Sequence, residues 1–174
     1  MTRDRGSQAI ENSGGVPQGL GLLDILSLAI YNEQSAHEFY AGVAGAIVNQ
    51  QARTIFKGLA DDEQRHRRLL EARYRELSQG QSFVFDATRV KKIDISLDSQ
   101  TKGLDALDLA LAAERSASQT YYSAAELEGG VEEKRMFESL AEEEDCHYDI
   151  LTAEREALLG HPYWFSAAEQ RTME

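Results

Sequence analysis

Residues that can bind metal ions recur in this chain at an interval of 81 positions. Each half carries one lone glutamate followed by a Glu-x-x-His pair. The six residues are Glu33, Glu63 and His66 in the first half, and Glu114, Glu144 and His147 in the second. Four carboxylates and two imidazoles are the ligand set of a two-metal site inside a four-helix bundle. The repeat therefore predicts chemistry as well as fold.

The spacing within each Glu-x-x-His pair suits a shared metal. Residues three apart lie on one face of a helix, so Glu63 and His66 can reach the same ion. The carboxylate of Glu63 can also bridge to a second ion, and Glu144 with His147 can do the reciprocal. The lone glutamates, Glu33 and Glu114, would then bind the two ions from the outer sides of the site. One such pair often arises by chance on a helix, but two in register indicate a site.

The six residues lie on apolar helical stripes, where charge needs a partner. An unpaired buried carboxylate costs several kcal/mol, and no Lys or Arg shares these stripes at the same level. Two divalent cations would balance the four carboxylates, with neutral imidazoles completing the coordination. Carboxylate and imidazole without thiolate suit iron or manganese, although zinc or copper could occupy the site adventitiously.

Apolar residues spaced three and four apart predict four helices. Their stripes cover residues 23–47, 56–77, 104–125 and 137–158. Asn49-Gln50 is the expected tight connection between the first two helices, and Gly129-Gly130 the turn between the last two. The second helix is expected to end near Ser78 to Gly80, and the fourth near Gly160.

A long segment, residues 78–102, separates the second and third helices and contains two strand-like runs, 82–85 and 92–95. Helices of this size are about 40 Å long, whereas 25 extended residues reach about 80 Å. The segment can therefore run the full length of the bundle. The predicted fold is all-α, a four-helix bundle of two helical hairpins joined by one long crossover. The bundle is expected over residues 18–160, after a disordered tail at 1–17 and before an aromatic tail at 161–174 that packs on the bundle or on a subunit partner.

Composition narrows the function classes. A length of 174 residues suits a single domain, and no apolar run is long enough to cross a membrane. The net charge of −12 argues against nucleic acid as a partner. Cys146 is the only cysteine, which excludes an internal disulfide and favours a cytoplasmic location. We expect Cys146 itself to be a small buried apolar residue.

These residues resemble the ferritin-like di-iron carboxylate superfamily, and within it the rubrerythrin and bacterioferritin-like branch, over roughly residues 20–160. The resemblance implies that the six repeated residues are iron ligands. It also implies that Tyr40 and Tyr121 hydrogen-bond to ligand carboxylates. The run Asp62-Glu63-Gln64-Arg65-His66 is similar to the Asp-Glu-x-Arg-His motif of bacterial di-iron oxygenases. On that analogy Asp62 and Glu143 accept ring N–H groups of ligating histidines, with a solvated helix face as the alternative.

Two departures from that branch bear on activity. Rubrerythrins usually carry a second glutamate three residues after the third-helix ligand, where this chain has Ala117. Rubrerythrins also often carry a rubredoxin domain as their electron donor. This sequence has no such domain, so the electrons are expected to come from a separate protein. The resemblance favours a di-iron oxidoreductase that reduces peroxide or oxidises Fe(II) with dioxygen, assembled as a homodimer. A metal-binding or iron-handling protein without turnover is the alternative, and a structural dimer with vestigial ligands is a third.

Further residues near the ligands keep more than one interpretation. His37 follows Glu33 by one turn, where the second half has Ser118. His37 is an extra ligand, a proton relay together with the two tyrosines, or a core histidine with satisfied hydrogen bonds. Arg65 is a surface salt-bridge residue or a support of the site.

Overall fold

The computed structural model describes residues 20–89, 99–127, 130–161 and 163–164. Four long helices account for most of these residues: α1 Leu22–Ala46, α2 Gln50–Leu77, α3 Gln100–Ala125 and α4 Val131–Gly160. A short 3-10 turn covers Ala87–Arg89, and no strand occurs within the ranges just given. The predicted all-α four-helix bundle is confirmed. The expected N-terminal tail, residues 1–17, lies outside the described residues.

Local side-chain chemistry accounts for the helix ends. Asn49 caps α2, because its side-chain oxygen accepts the backbone N–H groups of Gln51 and Ala52 at 2.9 and 3.0 Å. Ser99 caps α3 in the same way through the N–H of Lys102. Gly80 closes α2 with a φ of 90°, and its N–H reaches back to the Arg75 carbonyl at 2.8 Å. These ends lie within a few residues of the expected ones.

The helices pair as two hairpins, α1 with α2 and α3 with α4. Apolar side chains form two separate clusters, one at each end of the bundle. Phe56, Leu107 and Leu151 belong to one cluster, whereas Leu26 and Phe137 belong to the other. Along every helix the repeated acidic and imidazole residues lie between these two clusters. The bundle is therefore layered, with a polar middle enclosed by two apolar ends.

The beginning of the crossover is packed onto the first hairpin. Phe83 and Phe85 lie against Tyr31, with ring centroids 5.5 and 5.3 Å away. The Tyr31 hydroxyl accepts the backbone N–H of Asp86 at 2.9 Å. The strand-like run at 82–85 forms no strand, because its aromatic side chains find partners on helices. The second run, 92–95, lies outside the described residues.

Trp164 seals one end of the bundle. Its side chain is fully buried, and its ring meets Phe56 edge-on with centroids 5.2 Å apart. Its backbone carbonyl accepts the N–H of Val48 at 2.9 Å, in the connection between α1 and α2. Of the two expected roles for the aromatic tail, packing on the bundle is what Trp164 shows.

The structure places Cys146 differently from the sequence expectation. Cys146 is exposed, so its expected burial is wrong. It precedes the inward-facing His147 by one residue, and a rotation of about 100° per residue takes it off the inner face of α4. Within the described ranges, no helix is long and apolar enough to cross a membrane.

Candidate metal centre

The polar middle layer consists of the six repeated residues. Each is at most 4% exposed, although four carry carboxylates and two carry imidazoles. Each of the four helices supplies one glutamate at this level, and α2 and α4 each add a histidine. The structure thus brings together all six residues that the sequence repeat singles out.

The ligand atoms converge on two points. One group takes an atom each from Glu33, Glu63, His66 and Glu144, all within 4.8 Å of one another. The second group takes an atom each from Glu63, Glu114, Glu144 and His147, within the same limit. Glu63 and Glu144 belong to both groups. Each point therefore has one imidazole, one outer glutamate and two carboxylates that it shares with the other point.

The shared glutamates connect the two hairpins. Glu63 on α2 lies 3.1 Å from Nδ1 of His147, and Glu144 on α4 lies 3.1 Å from Nδ1 of His66. The separation within the pair Glu63 and His66 is larger, 3.7 Å. Sequence spacing predicts that each pair shares a face. It does not reveal that each middle carboxylate also contacts the histidine of the opposite hairpin, or that Glu144 lies about equally close to both histidines, 3.2 Å from Nδ1 of His147.

Unpartnered buried atoms test whether cations fit this arrangement. Among the described residues, five buried side-chain atoms have no hydrogen-bond partner, and four of them are site atoms. The four are Glu33 Oε2, Glu63 Oε1, His66 Nδ1 and Glu144 Oε1. Buried polar atoms without partners are rare because losing their hydration is costly. Oxygen and nitrogen lone pairs that approach one another without hydrogen-bond geometry fit bound cations, so the residues present suit a pair of metal ions.

Burial and mutual repulsion control protonation in the protein alone. Burial raises the pKa of Glu33 well above its ordinary value, and the neighbouring charge of Glu63 raises it further. Burial also raises the pKa of Glu114, to about 7. Burial opposes the charge of Glu144 as well, but the neighbouring imidazoles of His147 and His66 lower its pKa overall.

The pKa values of the two histidines are also raised, although burial opposes this shift. Burial alone would lower the pKa of His147, but its carboxylate neighbours, Glu114 first, raise it to about 12. The pKa of His66 is likewise raised, against burial, through Glu144 and then Glu33. Without metal ions, bound protons therefore neutralise the charge of the buried carboxylates. Metal ligation needs neutral imidazole and ionised carboxylate, so bound cations would take the place of these protons.

Two buried tyrosines orient the outer glutamates. The Tyr40 hydroxyl donates to Oε1 of Glu114, and the Tyr121 hydroxyl donates to Oε1 of Glu33. Burial, followed by the charge of these glutamates, raises the pKa of both phenols well above 10, so they remain donors. Hydrogen bonding to carboxylates agrees with the expectation. Both bonds also cross from one hairpin to the other, which the sequence pattern does not show.

The histidines are supported from outside by acidic residues of the opposite hairpin. Glu143 Oε2 lies 3.2 Å from Nε2 of His66 and forms a hydrogen bond. Asp62 lies 3.7 Å from Nε2 of His147, beyond hydrogen-bond distance. Arg65 joins the two acids, because its Nη2 lies 3.1 Å from Asp62 and also donates to Glu143. The salt bridges of Arg65 are thus made to the residues beside the histidines, which combines its two expected roles.

His37 does not join either ligand group. Its Nδ1 lies 2.7 Å from the Ala60 carbonyl, which can only accept, so Nδ1 carries the proton. This bond fits a histidine with a satisfied hydrogen bond. Its counterpart Ser118 donates to Asp145 at 2.6 Å. Ala117 is half-buried against the apolar cluster near Tyr121.

Two buried glutamates were not expected from the sequence. Glu154 accepts hydrogen bonds from the Tyr163 hydroxyl and from the Trp164 indole N–H. Glu133 pairs with Arg73 at the start of α4. Glu154 follows Leu151 by three residues and precedes Leu158 by four, so the apolar stripe itself carried a signal for its burial. Both have protein partners and lie outside the two ligand groups.

Comparison with known proteins identifies the family of this chain. The family model for rubrerythrin matches residues 24–155, most of the chain. The chain belongs to the rubrerythrin family. Among solved structures, a hypothetical protein from Pyrococcus furiosus is similar, with a TM-score of 0.74 and 29% sequence identity over 84% of this chain and 94% of that one. A search of curated proteins gives no significant match.

Rubrerythrin is a ferritin-like family, so the resemblance drawn from the repeat is confirmed. The buried carboxylate and histidine cluster of this rubrerythrin-family chain fits a di-iron site. Family membership and local geometry thus agree on a centre for two metal ions.

Proposed function

We propose that this chain is a non-haem di-iron oxidoreductase that reacts with peroxide or dioxygen. The observation that carries the proposal is the pair of buried ligand groups sharing Glu63 and Glu144. The shared carboxylates of Glu63 and Glu144 would hold both ions, where the pair could react with one small oxidant. A donor set rich in carboxylate, with imidazole and no thiolate, suits iron.

Each proposed ion has a defined set of protein ligands. Glu33 and His66 would hold one ion, Glu114 and His147 the other, and the two shared glutamates both. Bound iron would supply electrons by cycling between Fe(II) and Fe(III). With neutral imidazoles, four carboxylates balance two divalent ions, so loading leaves no net buried charge at the ligands.

The surrounding residues hold the ligands in orientation. The Tyr121 hydroxyl occupies one oxygen of Glu33 and leaves Oε2 unpartnered for a metal. Tyr40 binds Glu114 in the same way from the other hairpin. Glu143 accepts the ring N–H of His66, which leaves Nδ1 of that ring for the ion. Apolar clusters on both sides exclude water from the layer.

The proposed reaction needs two partners, an oxidant and an electron donor. The oxidant is a small molecule, and reducing electrons come from a separate donor protein. The chain acts as a homodimer in the cytoplasm. Neither nucleic acid nor a membrane takes part.

Peroxide consumption supported by an electron donor tests the proposal. Protein loaded anaerobically with Fe(II) should show new near-ultraviolet absorption after a peroxide pulse, and sustained turnover with a reductant. Glu144→Ala removes a shared ligand and should reduce both signals to the level of free iron. Glu142→Ala, an exposed neighbour on the same helix, is the matched control. Absorption and turnover no faster than free iron in the unmodified protein would refute the proposal.

A non-catalytic iron-handling role is the second candidate. Ala117 favours it, since it packs among apolar residues where rubrerythrins usually have another glutamate. In that case about two metal ions would bind tightly to each chain, without donor-supported consumption of peroxide. Metal titration and the turnover assay on one preparation therefore separate the two functions.

A further inference from the structure

A surface pocket of about 550 Å³ lies between α1 and α2, apart from the ligand cluster. From α1 it is lined by His37 and by small residues, and from α2 by Arg53, Lys57 and Asp61. None of these residues belongs to either ligand group. A volume of this size is in the range of pockets that bind small molecules.

The charge of the pocket contrasts with that of the protein. Two permanent cations and an imidazole face one carboxylate, in a chain whose net charge is −12. Basic groups gathered in a concave site concentrate positive potential, which attracts anions. A ligand with an acidic group therefore fits this pocket better than a neutral or cationic one.

Two of the polar groups are already held in place. Arg53 donates through Nε and Nη2 to the Ile47 carbonyl at 3.1 and 2.7 Å, which fixes the guanidinium plane. His37 is fixed by its Nδ1–H bond to Ala60, so in the neutral ring Nε2 is the acceptor left for a ligand. Groups held before binding lose little freedom when a ligand arrives.

The floor of the pocket is formed by side chains of minimal size. Ala44 and Ala60 are buried there, and a Cβ built at Gly45 would have no neighbour within 4 Å. The open volume thus depends on small residues along the α1 and α2 seam. A small carbon skeleton can lie on this apolar floor.

We propose that this pocket binds a small hydroxylated organic anion, either a hydroxycarboxylate or a phosphate monoester. Arg53 and Lys57 bind the acidic group, and Nε2 of His37 accepts the hydroxyl. His37 follows Glu33 by four residues and Ala60 precedes Glu63 by three, so the pocket lies one helical turn from two proposed ligands. The assignment is independent of iron chemistry, because no ligand residue lines the pocket.

Titration with L-malate and with glycerol 3-phosphate, at low ionic strength and followed by amide NMR and calorimetry, tests the proposal. Saturable shifts are expected at residues 37–45 and 53–61. Lys57→Gln should weaken binding at least about tenfold by removing a charge-assisted contact. Gly45→Leu keeps the charge and fills the cavity, and should also weaken binding at least about tenfold.

Each variant has a matched control on α2. Arg75→Gln removes an exposed cation about 27 Å from Lys57 along the helix. Gly58→Leu adds the same bulk at an exposed glycine that also has open space around it. Controls that bind like the unmodified chain, with weakened Lys57→Gln and Gly45→Leu, support the proposal. Binding of only one probe supports it as well and identifies the acid class. No saturable shift with either probe, or unchanged affinity in both pocket variants, would overturn it.

Discussion

Single tyrosine hydroxyl groups determine the orientation of the outer glutamate carboxylates. Tyr121 binds one oxygen of Glu33 and leaves the other without a partner, so the carboxylate has one orientation toward its neighbours. A carboxylate without this bond could rotate among several positions. The tyrosine is therefore a structural part of the site, although it is not a proposed metal ligand.

Replacing Tyr121 with phenylalanine should destabilise the fold while leaving the ligands intact. The change removes a buried hydrogen bond to a carboxylate, with an expected loss of about 1.5–3 kcal/mol. Thermal unfolding should show a lower Tm, and elemental analysis should still give two metal ions per chain, because no ligand is lost.

Tyr122→Phe provides the control for this prediction. Tyr122 is exposed and donates to Asp145 at 3.1 Å, so loss of its hydroxyl should change stability far less than loss of the Tyr121 hydroxyl. Equal Tm values for the two variants would contradict the assigned role of Tyr121.

At the residue scale, the sequence predicts which residues form the site better than it predicts the contacts that they make. The repeat identifies Glu33, Glu114 and both Glu-x-x-His pairs, the proposed metal ligands, because site residues recur where symmetry repeats the site. Periodicity gives the face of one helix but not the angle between helices. The crossing of the tyrosine bonds therefore could not be read from spacing. The expected burial of Cys146 is wrong, because a residue next to His147 on α4 lies off the inner face of the helix.

The link between α2 and α4 shows how helices position ligands. Glu143 on α4 bonds to His66 on α2, and Arg65 holds Glu143 from the same side. Arg65, followed by the contact with His66, lowers the pKa of Glu143 despite partial burial, so Glu143 remains a charged acceptor. The orientation of His66 thus depends on the relative placement of two helices.

Removing Glu143 should weaken metal binding without removing a ligand. Loss of an outer hydrogen-bond partner of a ligating histidine typically costs 10- to 100-fold in affinity, and we expect about this loss for Glu143→Ala. Competition with a chromogenic chelator measures the effect. Glu142→Ala, its exposed neighbour, should retain full affinity. If the two variants compete equally, the hydrogen bond to His66 has no role in binding.

Trp164 should contribute to stability rather than to chemistry. Its ring is fully buried against Phe56, and truncation of a buried tryptophan to alanine typically costs about 3–5 kcal/mol. Trp164→Ala should lower the denaturant midpoint by a corresponding amount, whereas the metal content of the remaining folded protein should not change. Leu159→Ala removes a half-exposed side chain nearby in sequence and should have a much smaller effect. Loss of bound metal from folded Trp164→Ala would contradict a purely structural role.

At the element scale, apolar periodicity predicts all four helices and the connection between α1 and α2 closely. Gly129 and residues 90–98 of the crossover lie outside the described residues. Caps such as Asn49 and the glycine at position 80 give local signals that do not depend on distant contacts. The run 82–85 was less predictable. Its alternating aromatic residues also suit packing against helices, and Tyr31 provides that partner.

The whole molecule encloses an acidic layer between two apolar clusters, so its stability depends on protons and metals together. The folded-state pKa of Glu114, about 7, lies above its ordinary value of 4.5. Stability from its protonated form is therefore complete below about pH 4.5 and is lost as pH rises through 7. The raised pKa values of Glu33 and of both histidines act in the same direction.

Stability of the metal-free protein should therefore fall between pH 5 and pH 8, with a share from Glu114 on the order of 3 kcal/mol. Metal binding should have the opposite dependence, because cations displace protons and bind more tightly as pH rises. The gain in Tm on anaerobic addition of Fe(II) should thus be larger at pH 7.5 than at pH 5.5.

Glu114→Gln tests the source of this pH dependence. Its neutral amide cannot ionise, so the metal-free variant should lose less stability between pH 5 and pH 8 than the unmodified chain. A metal-free Tm that rises over this range, or an equal slope in the variant, would show that burial of Glu114 does not govern the acidic layer.

The internal symmetry of the bundle has a consequence for its ancestry. Neither hairpin alone contains a full set of ligands, yet each supplies one outer glutamate, one Glu-x-x-His pair and one tyrosine directed at the other half. Two copies of a single peptide about half this size would already have assembled a complete centre. Duplication and fusion of such a gene would then have joined the copies and left each half free to differ at positions outside the ligand set, such as His37 in one half and Ser118 in the other.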